Sequence, residues 1–496
     1  MHRGIAQRGP WLALWVLALW LLCSLGVRPL LLPDEGRYAS VAREMLFGDG
    51  LTPTLNGLPY FHKPPLLYWL DMAAMSVFGV NAWAARLGPA LGGFVLAGAA
   101  YLHLRRVHGN GVAQAGLALL ATMPMFFIGA QYTNHDMLVA GCISVAVLAL
   151  WRAVDDPLRV DWRWQALGGL ACGLAVVSKG LIGVVLPVLV LAPWLVAQRR
   201  WRSLVGLLHP AGLLTLLAVA LPWMLLMEQR HPGFFDYFIV EQHFRRFTGV
   251  TFNNVQPWWF FVPVLPLLTL PWSLGLWPAV RAAGARRDAQ AALPLWWLVV
   301  VVGFFSLPNS KLVGYVMPAL VPLVLLLTPW LAARARLLRW GLLVMVVALP
   351  ALLVWMAIDA HGSHRDVSRA LAAQVQPVDR VVFIDGYFFD IPFDAGLTKP
   401  VLVVSNWADP ALPLRDNWRK ELFDAAQRFG SPAQRQVLWP VQREQEVLCH
   451  DQPVWLVVPA VHAARIGAWP GVERVLQGRH AELFRAAPRV CAGPLP

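Results

Sequence analysis

The sequence predicts a mainly α-helical, polytopic membrane protein: a bundle of about eleven transmembrane spans followed by a periplasmic α/β domain. Hydrophobic residues make up 58% of the 496 residues and charged residues only 14%. A soluble chain of this length has too little interior to bury so much apolar surface. Apolar runs near the ~18 residues needed to cross a bilayer recur through the first 358 residues. The remainder has the mixed composition of a small globular domain.

The spans are expected to be helices, because lipid offers no hydrogen-bonding partner to an open backbone. The first apolar run is longer than the hydrophobic region of a signal peptide and leads into Pro33-Asp34-Glu35, so we predict that it is retained. The predicted spans are roughly 11–32, 81–104, 113–130, 136–151, 165–178, 181–198, 204–227, 258–280, 292–307, 312–329 and 340–358.

The net charge of +13 is explained by membrane orientation. Basic and acidic residues balance from residue 359 onward, so the whole excess lies in residues 1–358. On the eleven-span count, the loops on one side carry sixteen arginines and only four aspartates, which is the positive-inside pattern. This pattern places the tail and the lysine-bearing loops on the outer side of the membrane. It also accounts for the charge without a nucleic-acid partner.

Residues 1–358 form the predicted membrane domain, with two long outer loops at about 33–80 and 228–257. In the first loop, Tyr38–Leu46 is amphipathic and is expected to form a helix lying in the membrane interface. The predicted role of the bundle is to hold these two loops at one membrane face.

Residues 359–496 form the predicted α/β domain. Short β-branched runs at Val381–Ile384, Val401–Val404 and Val454–Val458 predict buried strands, with helices such as Asp416–Phe429 between them. Cys449 and Cys491 would pair only in an oxidising compartment. Two cysteines alone are weak evidence for a disulfide, so we predict that both are unpaired thiols.

An acidic pair, Asp34 and Glu35, directly follows the first span. Acids that merely end a helix in interfacial water are the simplest interpretation. The pair also precedes the interfacial helix and shares a loop with Lys63, which favours function. A partly desolvated carboxylate can act as a general base. We therefore predict Asp34 as the catalytic base and Glu35 as a second active-site acid that positions a substrate or a cation.

Only three lysines, Lys63, Lys179 and Lys311, occur in the first 358 residues, and the topology places all three at the outer face. A snorkelling residue could equally be arginine, which this chain uses almost everywhere else, so Lys63 is a candidate phosphate ligand. For Lys179, anchoring of a loop end and substrate binding are equal alternatives. Lys311 and Tyr315 are four residues apart, so they share one helix face and form a candidate substrate contact.

The second outer loop carries His243, Arg245 and Arg246. Adjacent arginines on the outer face oppose the orientation bias, and an anionic ligand would explain them. His62 and His243 could join a carboxylate around a divalent metal ion. No local spacing enforces such a site, and histidines satisfied by ordinary hydrogen bonds are the alternative. The chain has no P-loop sequence that would support ATP-driven transport.

The order of the outer-face motifs resembles the membrane-integral GT-C glycosyltransferases, especially the aminoarabinose lipid A transferases and the bacterial relatives of protein O-mannosyltransferases. The resemblance covers most of residues 30–330. It rests on Asp34-Glu35-Gly36-Arg37-Tyr38, Tyr60-Phe61-His62-Lys63-Pro64, Gln256-Pro257-Trp258-Trp259-Phe260 and Lys311-Leu312-Val313-Gly314-Tyr315-Val316-Met317-Pro318.

This resemblance implies an undecaprenyl-phosphate-linked sugar donor that is used on the periplasmic face. Asp34 would occupy the acidic catalytic position of the family. The family often has glutamate where this chain has His62, so a metal site does not carry over directly. The cations expected to bind the donor phosphate are Lys63, Arg37, Arg245 and Arg246, and the further substrate contacts are Tyr60, Lys179, Lys311 and Tyr315.

The predicted function is transfer of a hexosyl or pentosyl group to lipid A or another envelope acceptor, with protein hydroxyls as an alternative acceptor. A non-enzymatic transporter or flippase of lipid-linked sugars would explain the helices and the cations. It would not explain their clustering at one face, because transport sites lie near the bilayer midplane. The expected partners are the lipid-linked donor, the acceptor and membrane lipids.

Overall fold

The protein is a bundle of apolar helices capped on one side by an α/β domain. The computed structural model describes residues 9–245, 253–285, 289–359 and 362–489. It confirms the predicted fold class, a mainly helical membrane domain followed by a tail that contains a sheet.

The membrane domain consists of helices of very different length. The α-helices are Gly9–Leu22, Asp34–Phe47, Leu66–Phe78, Leu87–His108, Asn110–Ala121, Pro124–Gly129, His135–Ala153, Trp162–Lys179, Ile182–Ala197, Trp201–Gly206, Pro210–Arg230, Phe261–Leu268, Leu276–Ala285, Ala289–Ser306, Leu320–Ala332 and Ala335–Asp359. A π-helical segment spans Asp236–Arg245, and 3-10 turns occur at Ala84–Arg86, Trp272–Gly275 and Val313–Ala319.

Within the described ranges, five helices are long and apolar enough to cross a membrane: Ala84–His108, His135–Ala153, Trp201–Arg230, Val313–Ala332 and Ala335–Asp359. Several other predicted spans coincide with apolar helices of 10–17 residues, which are shorter than a bilayer. The count of about eleven therefore stays a prediction.

The span predicted at 258–280 is not one continuous helix. Two helices, Phe261–Leu268 and Trp272–Gly284, meet there at an angle of 108°. Pro266 lies in the last part of the first helix and Pro271 lies in the break, and each removes a backbone donor that a continuous helix would need. The pair counts as a sixth candidate span only if the bent segment crosses the membrane as one unit.

Glycines let the central helices approach closely. A Cβ on Gly141 would lie 2.5 Å from the carbonyl oxygen of Gly92, and a Cβ on Gly92 would lie 2.5 Å from the Cα of Leu138. These contacts join Leu87–His108 to His135–Ala153. Small residues at helix interfaces are the usual means of tight packing in lipid, and here they fix the two helices whose outer ends carry the candidate site.

The first outer loop is built from secondary structure. It contains the Asp34–Phe47 helix, a hairpin of strands β1 (Thr54–Leu55) and β2 (Leu58–Pro59), and the Leu66–Phe78 helix. The helix predicted over Tyr38–Leu46 is confirmed, and its position in the membrane interface stays a prediction. Every residue from Tyr38 to Arg43 is buried, because the tail domain covers this helix.

The tail contains a six-stranded sheet in the order β5-β4-β3-β6-β8-β7. The strands are β3 (Arg380–Ile384), β4 (Leu402–Ser405), β5 (Leu438–Pro440), β6 (Val454–Pro459), β7 (Val472–Gln477) and β8 (Ala481–Ala486). Strands β5, β4, β3 and β6 are parallel, and β8 pairs antiparallel with β6 and β7. The α-helices of the tail are Arg365–Ala372, Ile391–Asp394, Trp418–Phe429, Pro432–Arg435 and Ala463–Gly467. The three predicted strands are confirmed as β3, β4 and β6.

Cys449 is disulfide-bonded, so the prediction of unpaired thiols in the tail is wrong. Among the described cysteines, Cys23, Cys142 and Cys172 are free thiols. Cys491 lies outside the described residues. Disulfides persist in oxidising compartments, so this one favours a position of the tail on the outer side of the membrane.

One face of the sheet shares a hydrophobic core with the first outer loop. The hydroxyl group of Ser40 donates a hydrogen bond to the carbonyl oxygen of Phe389 at 2.9 Å. Gly36 touches the same part of the tail, since a Cβ there would lie 2.9 Å from the backbone nitrogen of Asp390. The Asp34–Phe47 helix therefore lies between the bundle and the tail and contacts both.

Candidate active site

Asp34 is the first residue of the Asp34–Phe47 helix, which follows the Gly9–Leu22 helix after a connection of eleven residues. Its carboxylate accepts a hydrogen bond from the side-chain amide of Asn134 at 3.3 Å. It also lies 3.9 Å from the guanidinium group of Arg37, three residues later on the same helix. The Asp34 side chain is 23% exposed. It is therefore held by two neighbours and still accessible, as a general base must be.

Glu35, the next residue, is fully buried in an ionic cluster. Its carboxylate accepts hydrogen bonds from the guanidinium groups of Arg28 and Arg86, and from the backbone N–H groups of Leu31 and Thr133 at 2.9 and 3.0 Å. Burial acts to raise the pKa of Glu35, but the two guanidinium groups outweigh it and lower the pKa from 4.5 to about 2. A carboxylate enclosed in this way does not reach a substrate. The geometry argues against a direct catalytic role and for a positioning role.

A cavity of about 370 Å³ lies at the outer end of the bundle. Its polar lining consists mainly of His62, Lys63, Asp136, Lys179, Gln242 and Tyr315. The remaining wall is mostly apolar and includes Val139, Ile143, Ile182, Phe304 and Phe305. The fold therefore brings four of the predicted site residues, His62, Lys63, Lys179 and Tyr315, into one cavity that is polar on one side and apolar on the other.

Lys179 is held at the cavity wall by two contacts. It forms an ion pair with Asp136, and its ammonium nitrogen lies 4.5 Å from the centroid of the Tyr315 ring, within cation–π range. Gly314 makes room for this pair, because a Cβ there would lie 2.1 Å from Oδ2 of Asp136. With Lys63 in the same lining, the cavity holds two ammonium groups and one carboxylate. Its charge is therefore positive.

Sequence reasoning missed Asn134 and Asp136. Asn134 caps the His135–Ala153 helix by accepting a hydrogen bond from the backbone N–H of Asp136 at 3.2 Å, and its amide donates to Asp34. One side chain thus connects Asp34 to the cavity wall. The available signal was an Asn-His-Asp sequence at the start of a span, which reads as an ordinary helix cap.

Arg37 and Tyr60 lie towards the tail. The Arg37 guanidinium group is 3.1 Å from the carboxylate of Glu421 and 4.7 Å from the centroid of the Phe389 ring. The Tyr60 ring is buried and stacks on the His62 ring with a centroid separation of 4.6 Å. Burial and the nearby Glu421 carboxylate raise the pKa of Tyr60 well above its ordinary value. Arg37 and Tyr60 adjoin the cavity residues but are not part of its lining, so their substrate contacts stay predictions.

Lys311 is only 3% exposed. Its ammonium group donates hydrogen bonds to the carbonyl oxygens of Gln256, at 2.8 Å, and Pro308. These bonds tie the turn before Val313–Ala319 to the segment that begins at Gln256. The substrate contact predicted for Lys311 stays a prediction, and the structure gives this lysine a role in joining two loops.

Arg246 and the side chains of His243 and Arg245 lie outside the described residues, so their phosphate-binding and metal-binding roles stay predictions. His62, the other predicted metal ligand, lines the cavity. Among the described residues, no group of three or more histidine, cysteine, aspartate and glutamate side chains is placed to hold a metal ion.

Similar proteins were found in three comparisons. Residues 14–238 match the family described as dolichyl-phosphate-mannose-protein mannosyltransferase. The chain is 37% identical over 342 residues to the undecaprenyl phosphate-alpha-4-amino-4-deoxy-L-arabinose arabinosyl transferase of Pseudomonas aeruginosa strain UCBPP-PA14, a match that covers 67% of this chain and 61% of that protein. It is 35% identical over 335 residues to transferase 2 of the same description from Pseudomonas fluorescens strain Pf0-1, covering 66% and 60%. The chain therefore spans about three fifths of the length of the curated relatives it matches.

The fold is shared with a solved structure. The crystal structure of ArnT from Cupriavidus metallidurans bound to undecaprenyl phosphate matches with a TM-score of 0.81 at 24% identity, covering 96% of this chain and 99% of that chain. Arabinofuranosyltransferase AftD from Mycobacteria matches with a TM-score of 0.53 at 16% identity, covering 99% of this chain and 40% of that chain. At these identities the likeness concerns the fold alone.

Proposed function

We propose that this chain is a membrane glycosyltransferase with an undecaprenyl-phosphate-linked sugar donor. Residues 14–238 match the dolichyl-phosphate-mannose-protein mannosyltransferase family, and the fold is similar to that of ArnT. The proposed sugar is 4-amino-4-deoxy-L-arabinose, the pentose named for the Pseudomonas relatives. The proposed acceptor is lipid A.

The two-sided cavity at the outer end of the bundle carries this proposal. A prenyl phosphate has an anionic head and a long apolar tail. The cavity offers the ammonium groups of Lys63 and Lys179 on one side and aliphatic and aromatic side chains on the other. Arginine and lysine are the usual phosphate partners, and lysine acts as a compact point charge.

The proposed reaction is a direct displacement at the anomeric carbon. The acceptor oxygen forms a new bond to that carbon while the bond to the donor phosphate breaks, so the configuration inverts and undecaprenyl phosphate leaves. Negative charge builds up on the phosphate oxygens in the transition state. Cations already in place stabilise that charge without reorganisation, which is the role proposed for Lys63 and Lys179.

Asp34 has a role that depends on the acceptor group. A hydroxyl acceptor loses a proton as it attacks, and Asp34 is proposed to take it. A phosphate acceptor is already anionic and needs no base, so Asp34 would then only orient the reactants. Glu35 is proposed to position the helix end that carries Asp34.

The remaining predicted residues are proposed as follows. Arg37, Arg245 and Arg246 bind donor phosphate, and Tyr60, Lys311 and Tyr315 contact substrate, with Tyr315 acting from the cavity wall beside Lys179. A divalent metal at His62 and His243 is kept as an option for the same phosphate, and no step of the proposed reaction requires it.

The proposed location of the site is the periplasmic face of the inner membrane. The arginine-rich loops lie on the opposite side in the topology that the sequence predicts. The disulfide at Cys449 supports the same sidedness, because the tail must then fold in an oxidising compartment.

The test is mass spectrometry of lipid A and of total envelope glycans from a bacterial host that lacks such a transferase. The host would express wild-type protein, Asp34→Asn, Asp49→Asn or no protein. Asp49 is a matched control, an outer-loop aspartate paired with Arg230 at 2.7 Å and exposed on the surface. We expect one added aminopentose on lipid A with wild type and with Asp49→Asn. With Asp34→Asn we expect little or none if the acceptor group is a hydroxyl, and a smaller loss if it is a phosphate.

Each other result has a definite meaning. A pentose found on protein and not on lipid A would identify protein hydroxyl groups as the acceptor. Donor sugar that reaches the outer leaflet without any transfer would identify a flippase. No added mass in any fraction, with folded wild-type protein in the membrane, would contradict the proposed function.

A further inference from the structure

A second cavity, of about 830 Å³, lies at the other end of the same helices. It is lined by the later residues of Leu87–His108 and His135–Ala153 and by parts of the helices that follow. Asp136 of the outer cavity and Arg152 of this one belong to a single helix, and their separation along it corresponds to roughly 24 Å at ~1.5 Å per residue. The two cavities therefore lie near opposite faces of the membrane, and we call this one the inner cavity.

The inner cavity has a cationic end and an apolar wall. Three arginines line it, Arg106, Arg152 and Arg200, against one acid, Asp155. The apolar part of the lining includes Phe94, Val95, Leu102, Val145, Leu148 and Leu167. The excess of positive charge lies in the arginine-rich loops that the sequence assigns to the cytoplasmic side.

The guanidinium groups are fixed in place by their surroundings. Arg106 pairs with the carboxylate of Asp155 at 3.2 Å, and Arg200 donates to the carbonyl oxygen of the same residue at 2.7 Å. The Arg152 guanidinium lies 4.0 Å from the centroid of the Trp164 ring. Stacking holds a guanidinium by its flat face, so the N–H groups at its edge stay available for hydrogen bonds to an anion. Asp161 also acts electrostatically on Arg152. The two carboxylates of Asp155 and Asp161 cannot neutralise three guanidinium groups, which leaves room for a further negative charge.

The apolar wall is reached from the lipid. Leu102 is 61% exposed and Leu167 is 38% exposed, on helices that cross or border the hydrocarbon. Gly98 lies in the same wall, and a Cβ built there meets nothing within 4 Å. A ligand that fits must be anionic at one end and hydrocarbon at the other, and must arrive from within the bilayer.

We propose that the inner cavity binds one anionic glycerophospholipid from the leaflet on the arginine-rich face. Its headgroup phosphate is held by Arg152 with Arg106 and Arg200, and an acyl chain lies along the wall that contains Gly98. The site is separate from the proposed transfer site, and the inference does not depend on the proposed reaction.

The test is native mass spectrometry of the full-length protein in a neutral detergent. The protein is titrated with phosphatidylglycerol, with phosphatidylcholine of the same acyl chains, and with inorganic phosphate. We expect one phosphatidylglycerol to be retained, with affinity about tenfold or more above that of phosphatidylcholine, since charge-assisted bonds to a phosphate are the stronger kind.

Two variants address the two halves of the site. Arg152→Ala should weaken phosphatidylglycerol binding about tenfold. Gly98→Leu places a side chain in open space along the wall and should weaken binding of the lipid without any change of charge. Arg334→Ala is the matched control, because Arg334 also lies 4.0 Å from a tryptophan centroid, that of Trp330, but outside this cavity. It should bind like wild type.

The proposal is overturned if the two phospholipids bind equally, or if Arg334→Ala weakens binding as much as Arg152→Ala. It is also overturned if inorganic phosphate alone binds as tightly as phosphatidylglycerol, or if Gly98→Leu has no effect, because the hydrocarbon chain then contributes nothing. The melting temperature of each variant is measured in parallel, and a variant that has lost its fold is replaced by Arg152→Gln or Gly98→Val.

Discussion

Two ionic clusters lie at the outer face of the bundle. The Glu35 cluster (Glu35, Arg28 and Arg86) is closed, whereas the Lys179 cluster (Lys179, Asp136 and Lys63) lines a cavity. Around Glu35, two arginines and two backbone N–H groups converge on one carboxylate, and the three charged side chains are buried. Around Lys179, one aspartate faces a lysine pair in a space of about 370 Å³.

The difference is one of charge balance and access. Buried charges are tolerated when every partner is present, and removing one partner is expensive because the others are left uncompensated. A site that must bind an anion needs the opposite, an excess of positive charge next to open space. The closed cluster is therefore expected to control folding and the open one to control turnover.

Asp34→Asn is the largest expected effect on turnover. If Asp34 is the base for a hydroxyl acceptor, the rate should fall about 10²–10⁴-fold with an almost unchanged melting temperature, because the Asn134 amide still has a partner. Turnover of purified protein with a prenyl-phosphate sugar would measure it. A loss of less than about tenfold would assign the acceptor to the phosphate class, where no base is needed.

Glu35→Gln tests the closed cluster. Arg28 and Arg86 would be left buried without a counter-charge, so the free energy of unfolding should fall by about 3–5 kcal/mol. Fluorescence-detected size exclusion after heating would measure the loss of folded protein. Asp34→Asn, one residue away, is the control and should retain its fold. Equal stability of the two variants would contradict the division between a closed and an open cluster.

The pH dependence of the free energy of unfolding should reflect the titration of the Glu35 carboxyl group. Its pKa is about 2 in the folded protein against an ordinary 4.5. The unfolded chain therefore takes up this proton first as the pH falls. The stabilisation is complete above about pH 4.5 and is lost as the pH falls towards 2, with a total of about 3 kcal/mol. Melting temperatures between pH 7 and pH 3 should fall more steeply for wild type than for Glu35→Gln. If the melting temperature falls equally with pH in both proteins, the ion pairs with Arg28 and Arg86 do not lower the pKa of Glu35, and this prediction is wrong.

Lys63→Ala and Lys179→Ala test the open cluster. Each should reduce kcat at saturating donor by roughly 10–100-fold, because a charge-assisted contact is worth about 1.5–3 kcal/mol. Lys399→Ala is the matched control, an exposed lysine of the tail that does not line this cavity. It should leave the melting temperature and kcat nearly unchanged. Full turnover by Lys63→Ala would contradict the proposal that Lys63 stabilises the donor phosphate in the transition state.

Much of the fold could be predicted because its causes are local. Apolar length, arginine placement and β-branched runs each act within about twenty residues, and they identified the bundle and strands β3, β4 and β6. The burial of the Asp34–Phe47 helix could not be predicted, since its cover comes from Phe389 and Asp390 in the tail. The bend at 269–271 was missed because the apolar pattern continues through it, although the prolines were visible.

The candidate site divides in the same way. Lys63, Lys179 and Tyr315 could be singled out because lysines are rare in this part of the chain and a helical spacing was evident. Asp136 could not be singled out from the sequence. An aspartate in the first turn of a capped helix has the same sequence pattern whether or not it forms an ion pair with a lysine of another helix. The pairing of Glu35 with Arg86 likewise depends on a contact between distant segments.

The hydrogen bond from Ser40 to Phe389 joins residues that are 349 positions apart. At translation rates of ~5–20 residues per second, the helix that begins at Asp34 leaves the ribosome roughly 20–70 s before the segment that covers it. During that interval its buried face has no partner, and the neighbouring end of the bundle is incomplete. A truncated product of translation would therefore lack the cover of the outer end of the bundle, and the proposed transfer site is complete only when nearly the whole chain has been made.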